Sequence, residues 1–511
     1  MNKLIEGTAQ VMSIKRLTLS RPEIARAKRG LPHAGERPDG HPFYPELKTI
    51  DDAYKAGNEV YSLGYAPPLC MSPFNLGNGS PLRMSPFTPA VQAAASALSG
   101  DGISQYAFAA GDASCRRQVA AYWSEEGLRT DSGETINERQ VIFFNSVTEA
   151  FSILMQVICR PGDVVIFTAP TYGLFAYAPE RAAAVMKTIP LREENGWLPD
   201  PEELERVIIQ TNASLKARFS EYPYTPCVTA FVNLNPCNPT GLVMGPGESR
   251  RLRHISDVCL KHSVFVIDDL IYRDLCFDPK EQALPVATFL GAFSNTITLF
   301  GTSKCYGLAG ARAGGVVADE VIIRGLRNEI FQLMDSTPLQ VSFLMAGTFC
   351  PSIRSSEAYQ SFFCDALHRY RENWAIVENL ILGMRQSEQE LDEESLGLIR
   401  EQFGENAETV LAEGIDGLTL AGGIRPESGF FVLVDLSSLR GRIDPETGNY
   451  LENEMDVLYY FYRTANIKLL TGSSFAWPIE DQIVARVSFA YSKQELILAF
   501  YQIWLAIGRL E

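Results

Sequence analysis

Short unbroken apolar runs recur along the middle of this chain, and each is followed by a polar cluster and then a helical stretch. Val141–Phe144, Val164–Thr168, Val228–Leu234, Val264–Ile267 and Thr296–Phe300 read as strands covered on both faces, since alternation is lost when neither face meets water, and Val185–Pro190 reads as a further strand. The spacing predicts helices at Pro89–Leu98, at Ala113–Glu126, from Asn145-Ser146 to about Cys159, around Phe175–Ala184, at Asp200–Gln210 and at Gly247–His262. The Asp200 helix opens Asp-Pro-Glu-Glu, an acidic first turn that the helix dipole favours. Thr211–Thr225, polar and Tyr-bearing, reads as a surface excursion. Strands alternate with helices and polar residues stand at the strand C-termini, which predicts a doubly wound α/β domain.

Outside that region the pattern changes. Residues 1–65 mix charge, Pro and Gly with little periodicity and read as an irregular arm, lying across another part of the protein or a partner subunit. Phe74 to Pro81 reads as a short strand entering a glycine turn. From Asp319 to Gly383 the pattern is long and helical, with an apolar stretch at Leu339–Phe349, and residues 385–408 read as charged, helical and exposed. Strands at Gly429–Asp435, Ile467–Leu470 and Ile483–Phe489, with helices at Met455–Thr464 and Leu496–Leu505, predict a smaller α+β domain; Ser437–Glu452 reads as a loop. The expected organisation is an arm at 1–65, the first part of the small domain and a linker at 66–110, a large domain at 111–345, and the rest of the small domain at 346–511.

Composition narrows the class. The 511 residues exceed one ordinary core, and 46% hydrophobic with 21% charged content describes a globular chain. A net charge of −16 argues against nucleic acid or an anionic membrane as partner, so an anionic ligand needs local cations. No apolar run approaches a membrane span, and Met-Asn-Lys-Leu-Ile-Glu-Gly lacks the apolar core of a secretory signal, so a cytoplasmic protein is expected. Ten scattered cysteines read as reduced thiols, and five unclustered histidines predict no metal site.

The candidate chemistry sits at the predicted strand ends. Leu299–Val316 delivers Lys304, directly after Ser303, and returns Arg312 eight residues on through a Gly/Ala-rich turn. One reading is a nucleophilic lysine beside a phosphate; the other is a loop with one solvated lysine. Ser146-Val147-Thr148 opens a helix, which makes either an anion site or a plain N-cap with Glu149 completing a capping box. Tyr172 is a pocket wall or a core aromatic. Asn238, between two prolines, is held beyond its strand. Asp268 and Asp269 end an apolar strand, with Tyr272 after them; buried acids there are costly unless one finds a cation. The turn at Gly79 offers backbone amides to a carboxylate or is a simple loop.

In order, the hydroxyl turn, the strand-end tyrosine, Asn-Pro-Thr-Gly at 238–241, Asp-x-x-Tyr at 269–272, Ser-Lys with its later arginine, and Arg-Val-Ser at 486–488 resemble the class I/II aminotransferases. These are the aspartate-aminotransferase-like, fold type I enzymes that use pyridoxal 5′-phosphate, and the resemblance runs from about Asn75 to the C-terminus. It implies that Lys304 forms a Schiff base with the cofactor and later moves the α-proton. Asp269 would pair with the pyridinium nitrogen, while Tyr272 and Asn238 would bond the ring oxygen. Tyr172 would stack on the ring. Ser146, the Val147 amide, Thr148, Ser303 and Arg312 would hold the phosphate. Arg486, otherwise read as a surface salt bridge, would clamp the substrate carboxylate with help from Gly79. Tyr106 matches the tyrosine that reaches the phosphate of the neighbouring subunit, which implies a homodimer with a shared active site.

Two positions depart from the family pattern: Gly301 stands where many relatives carry a hydroxyl, and Val147 where glycine is common. The segment Asp335–Leu344 carries no arginine, which counts against a dicarboxylate side-chain clamp there. The function implied is amino transfer between an α-amino acid and a 2-oxo acid. The alternatives are an elimination or replacement, β-decarboxylation or ring-closing enzyme like the 1-aminocyclopropane-1-carboxylate synthases, and a non-catalytic regulator on the same fold.

Overall fold

The computed structural model describes residues 74–77, 79–81, 84–104, 106–220 and 224–511. The arm expected at 1–65, and residues 66–73 after it, lie outside the described residues. The described chain divides into two compact units: Ser85–Asn238 with Leu242–Asp365, and Pro239–Gly241 with Ala366–Glu511 and the described part of Glu36–Met84.

The first unit is built on a seven-stranded sheet. Its strands are β2 (Val141–Phe144), β3 (Val164–Ala169), β4 (Val185–Pro190), β5 (Val228–Leu234), β6 (Phe265–Asp269), β7 (Thr296–Gly301) and β8 (Gly314–Val317), in the order β2-β8-β7-β6-β5-β3-β4. Only β8 runs antiparallel to its neighbours. Strand periodicity sorts the apolar residues onto two faces. Val165, Phe167, Val232 and Ile267 join the core under helices Val147–Ile158 and Glu320–Met334, while Ile166, Phe231, Val264 and Val266 join the core under helices Pro201–Arg218 and Ser249–Lys261. Both faces are therefore filled, and the strands read as continuous apolar runs. The edge strand β4 is the exception, exposing Val185, Lys187 and Thr188.

Since β8 is antiparallel to both β2 and β7, the C-terminal ends of β2, β7, β6, β5 and β3 share one edge with the start of β8. Gly314 pairs with Phe144 on one side and Gly301 on the other. The sequence pattern did not separate β8 from the glycine turn before it, because two of its four residues are glycine.

The second unit holds a four-stranded antiparallel sheet ordered β12-β13-β10-β9, formed by β9 (Thr419–Leu420), β10 (Phe431–Asp435), β12 (Leu470–Thr471) and β13 (Val484–Ser488). A separate parallel pair joins β1 (Phe74–Asn75) to β11 (Ile467–Lys468). The single strand expected at Ile467–Leu470 is thus two short ones that pair in different sheets.

Three further expectations are corrected. Thr211–Arg218 is not a surface excursion but the second half of helix Pro201–Arg218, where Leu204, Ile208, Thr211 and Leu215 repeat at helical spacing on the inner face. The helix expected at Phe175–Ala184 is a 3₁₀ turn followed by the short helix Tyr177–Arg181. Of the charged stretch 385–408, the helix Glu393–Phe403 buries Ser395, Ile399 and Phe403 and so is amphipathic. The residues before it are tied down by the buried Glu378, whose carboxylate accepts the Ser387 hydroxyl (2.9 Å) and the Gln389 N–H (3.1 Å) and pairs with Arg425 (2.6 Å).

Candidate active site

The shared edge of the large sheet collects most of the residues singled out in the sequence. At the end of β6, alternation sends Asp268 and Asp269 to opposite faces. Asp268 is fully buried and satisfied by neutral donors, the Asn233 Nδ2 amide and the Val286 N–H, each at 2.8 Å. Burial pushes its carboxyl up to about 6. Asp269 is 4% exposed, and its Oδ1 accepts the Ile271 N–H at 3.1 Å. Burial pushes it from the ordinary 3.8 to about 7, the neighbouring Asp268 adds to the rise, and the charge of Lys304 opposes it. Each acid of the pair thus feels a positive charge that opposes the effect of burial, Arg273 for Asp268 and Lys304 for Asp269.

Lys304 follows β7 on a segment fixed from both sides. The Thr302 N–H donates to the Ala313 carbonyl (3.2 Å), and the Cys305 thiol donates to the Ile271 carbonyl (3.1 Å), between Asp269 and Tyr272. Tyr272 is buried, and Ser303 borders the same turn. Arg312, just before β8, takes a left-handed backbone (φ 55°), and its guanidinium bonds the Ala309 carbonyl at 3.0 Å from an exposed position.

At the end of β2, the Ser146 hydroxyl accepts the Glu149 N–H at 3.0 Å, so it caps helix Val147–Ile158. Glu149 reaches past the cap and accepts the Asn145 N–H (2.6 Å) and side-chain amide (3.0 Å). Capping leaves the amides of Val147 and Thr148, and the Ser146 proton, at the positive end of the helix. This turn packs directly on the paired glycines. A Cβ at Gly314 would lie 2.7 Å from the Val147 nitrogen, and one at Gly301 would lie 3.0 Å from Val147 Cγ2 and 2.9 Å from the Ala313 carbonyl oxygen. The methyl of Val147 thus fills the space that a side chain at 301 needs.

Beyond β5, the buried Asn235 fastens the loop that carries Asn238: its side chain donates to the Met244 carbonyl and accepts the Met244 N–H, both at 2.9 Å. Asn238 is itself buried. Beyond β3, the half-buried Tyr172 packs its ring edge-on to Phe175 at 5.2 Å. Tyr106 stands apart from this edge. It is 90% exposed and lines a groove of about 690 Å³ with Phe108, Arg324 and Phe331, which contains none of the other site residues.

Gly79 and Arg486 belong to the second unit. Arg486, in the middle of β13, is 3% exposed and so is no surface salt bridge. Its guanidinium lies 4.5 Å from the centre of the Phe431 ring and 4.7 Å from that of Phe475, and its Nη2 donates to the Gly77 carbonyl at 2.7 Å. Two aromatic faces hold the fork in one plane. A Cβ at Gly77 would meet Leu470 at 2.8 Å, so only glycine brings that carbonyl so near. The sequence reading did not find Phe431, Phe475 or Asn235. The signals were present only as an aromatic two residues from the arginine's strand partner Leu433 and as an Asn-Pro step.

The family described as "Aminotransferase class I and II" matches residues 72–346. An arginine–pyruvate transaminase of Pseudomonas aeruginosa is 28% identical over 49% of this chain and 57% of its own length. The chain spans 57% to 62% of the length of the relatives it matches at that identity in Pseudomonas, Thermus aquaticus and Mycobacterium tuberculosis. An aspartate/prephenate aminotransferase of Thermus thermophilus is 24% identical over 82% of this chain and 87% of its own. Among solved structures, the aspartate aminotransferase of Rhizobium meliloti superposes with a TM-score of 0.69 at 19% identity, over 94% of this chain and all of that one.

The buried acid yields a prediction for the cofactor-free protein. Below pH 3.8 Asp269 is protonated whether the chain is folded or not, and no penalty exists. As pH rises toward about 7 the unfolded chain releases the proton and the folded chain retains it, so stability falls. Asp269→Asn is expected to gain stability over the wild type on going from pH 5 to pH 8, by an amount on the order of 1 kcal/mol or more. Denaturant midpoints at the two pH values measure it; an equal difference at both would show that Asp269 ionises normally.

Proposed function

Because the chain belongs to the class I and II aminotransferase family, we propose that it moves an amino group between an α-amino acid and a 2-oxo acid with pyridoxal 5′-phosphate as cofactor. The observation that carries this reading is the buried Asp269 beside Lys304 at one sheet edge, next to a helix N-terminus packed on two glycines. That donor set suits the cofactor. A carboxyl lifted to about 7 by burial is matched by a protonated ring nitrogen, and a phosphate suits free amides at a helix start.

When bound, pyridoxal 5′-phosphate supplies an electron sink for the carbanion left at the substrate α-carbon. The chain's residues do the rest. Lys304 would carry the covalent link and, released by the incoming amine, take the α-proton on its nitrogen and give it back. Asp269 would hold the proton on the ring nitrogen. Tyr272 and Asn238 would bond the ring oxygen, and Tyr172 would cover the ring face. Ser146, Val147, Thr148, Ser303 and Arg312 would bind the phosphate. Arg486, with Gly79, would take the substrate carboxylate in a bidentate pair, for which its plane is already set. The family and the named relatives, all aminotransferases, favour transfer over elimination, decarboxylation or ring closure. With no arginine in Asp335–Leu344, the preferred side chain is one without a carboxylate clamped there.

The reading includes a homodimer. Tyr106 at 90%, Phe108 at 69% and Phe331 at 65% exposure form an apolar surface that a second copy would cover, bringing Tyr106 to the site of the partner. Sedimentation is expected to give twice the chain mass of 56.6 kDa, and Phe331→Asp to shift the protein toward monomer with loss of turnover. A wild-type monomer with full turnover would refute this.

Mixing the loaded enzyme with a panel of amino acids, without oxo acid, is expected to yield pyridoxamine phosphate, and Lys304→Ala to abolish both the visible absorbance and that product. Oxo acid or amine release with the aldehyde cofactor regenerated would favour the lyase alternative instead. Arg486→Ala is expected to raise KM for amino acid and oxo acid by the equivalent of about 2 kcal/mol. An unchanged KM would remove Arg486 from the substrate site.

A further inference from the structure

Beneath the Lys304 turn lies a buried, charge-balanced network that the proposed chemistry does not use. Asp274, two residues after Tyr272, accepts the phenol of Tyr306, two residues after Lys304, at 2.7 Å. Its other oxygen accepts the Gln282 amide at 2.8 Å. Arg273 pairs with Glu126, at the C-terminal end of helix Ala113–Glu125, and also donates to the Ala283 carbonyl at 3.1 Å. Arg354 binds the second oxygen of Glu126 at 2.8 Å and the Tyr122 hydroxyl at 2.8 Å. Two guanidiniums thus meet two carboxylates, and the side chains of Arg273, Asp274 and Glu126 are all less than a tenth exposed.

Stability alone does not explain such a cluster, since apolar groups of the same volume commonly serve as well. Directional bonds do something packing cannot: they fix one chain segment against another at a set distance. Here the two segments are the one bearing Asp269 and Tyr272 and the one bearing Lys304. They are stitched at Cys305 to Ile271 and at Tyr306 to Asp274, just beyond the point where β6 and β7 stop pairing. The Tyr306 ring is wedged among Phe87, Phe349 and Phe363, with centroids 5.3 to 5.5 Å away, so its hydroxyl has one place to go.

We propose that Tyr306 and Asp274 are positioning residues for Lys304, with Arg273, Glu126 and Arg354 holding Asp274 in place. The proposal rests on the reading that Lys304 carries the cofactor.

The test uses the full chain loaded with pyridoxal 5′-phosphate. Borohydride reduction and peptide mapping locate the labelled lysine; visible circular dichroism per unit absorbance reports how firmly the chromophore is oriented, and steady-state kinetics separate kcat from KM. Tyr306→Phe deletes one hydroxyl and keeps the ring. It is expected to bind a full equivalent of cofactor, to lose about half or more of the visible dichroism, and to lower kcat about tenfold with KM little changed, the pattern of a misplaced reacting group. Asp274→Asn is expected to follow it; should that variant fail to fold, Tyr306→Phe decides. Label on another lysine would overturn the reading of Lys304 and the proposal with it. Label on Lys304, with dichroism and kcat of Tyr306→Phe equal to wild type, would overturn the positioning role alone, whatever happens to the melting temperature.

Discussion

A carboxylate at the end of a strand whose five residues are all buried has little access to water, and Asp269 is such a group. Its charge is stable only where the protein or a ligand brings a positive partner, because burial works against ionisation. The neighbouring elements are arranged around that requirement. β7 ends beside β6 and delivers Lys304, β8 turns back so that Arg312 begins from the same edge, and the helix after β2 points its positive end there. Asp268, one residue earlier and on the opposite face, is hydrogen-bonded by two neutral donors, and the charge of Arg273 acts on it as well. One residue of alternation therefore gives two adjacent acids different partners on opposite faces of the sheet.

The two arginines singled out in the sequence, one in each unit, are held in contrasting ways. Arg312 is exposed and fixed through its backbone, in a left-handed conformation that few side chains adopt, with a local bond to Ala309. Arg486 is buried in the centre of a strand and fixed through its side chain, between two rings and a carbonyl. In the proposed reading, a group that would meet a phosphate from the solvent side tolerates exposure. A group that must present a planar fork to a carboxylate gains from being set in advance.

Much of this was legible in the chain. Strands buried on both faces announce themselves as continuous apolar runs, so β2, β3, β5, β6 and β7 stood out, and the residues just after them were the candidates for chemistry. β8 did not, because glycine makes up half of it and its place in the sheet depends on partners distant in sequence. The second half of helix Pro201–Arg218 was hidden by its polar outer face, although Thr211 and Leu215 continue the inner stripe. The supports of the site were not legible either. Glu126, Asp274, Tyr306 and Arg354 lie far apart in the sequence, and nothing local marks them as meeting. Phe431 and Phe475 look like any core aromatics until the register sets Arg486 between them.

Val147, Gly301 and Gly314 behave as a single site under sequence change. The γ-methyl of Val147 occupies the volume above Gly301, and the backbone at Ser146 and Val147 rests on Gly314. A serine or threonine at 301 would meet that methyl, the Ala313 carbonyl oxygen and the Gly314 Cα, so a hydroxyl there needs a shift of the β8 backbone as well as a smaller residue at 147. The two departures from the family pattern expected at this turn are therefore neighbours in space, with the side chain carried by the helix and none by the strand that delivers the lysine. A smaller residue at 147 meets no such block by itself, whereas a side chain at 301 meets both Val147 and the backbone of β8, so at this corner of the fold a change at 147 must come before one at 301.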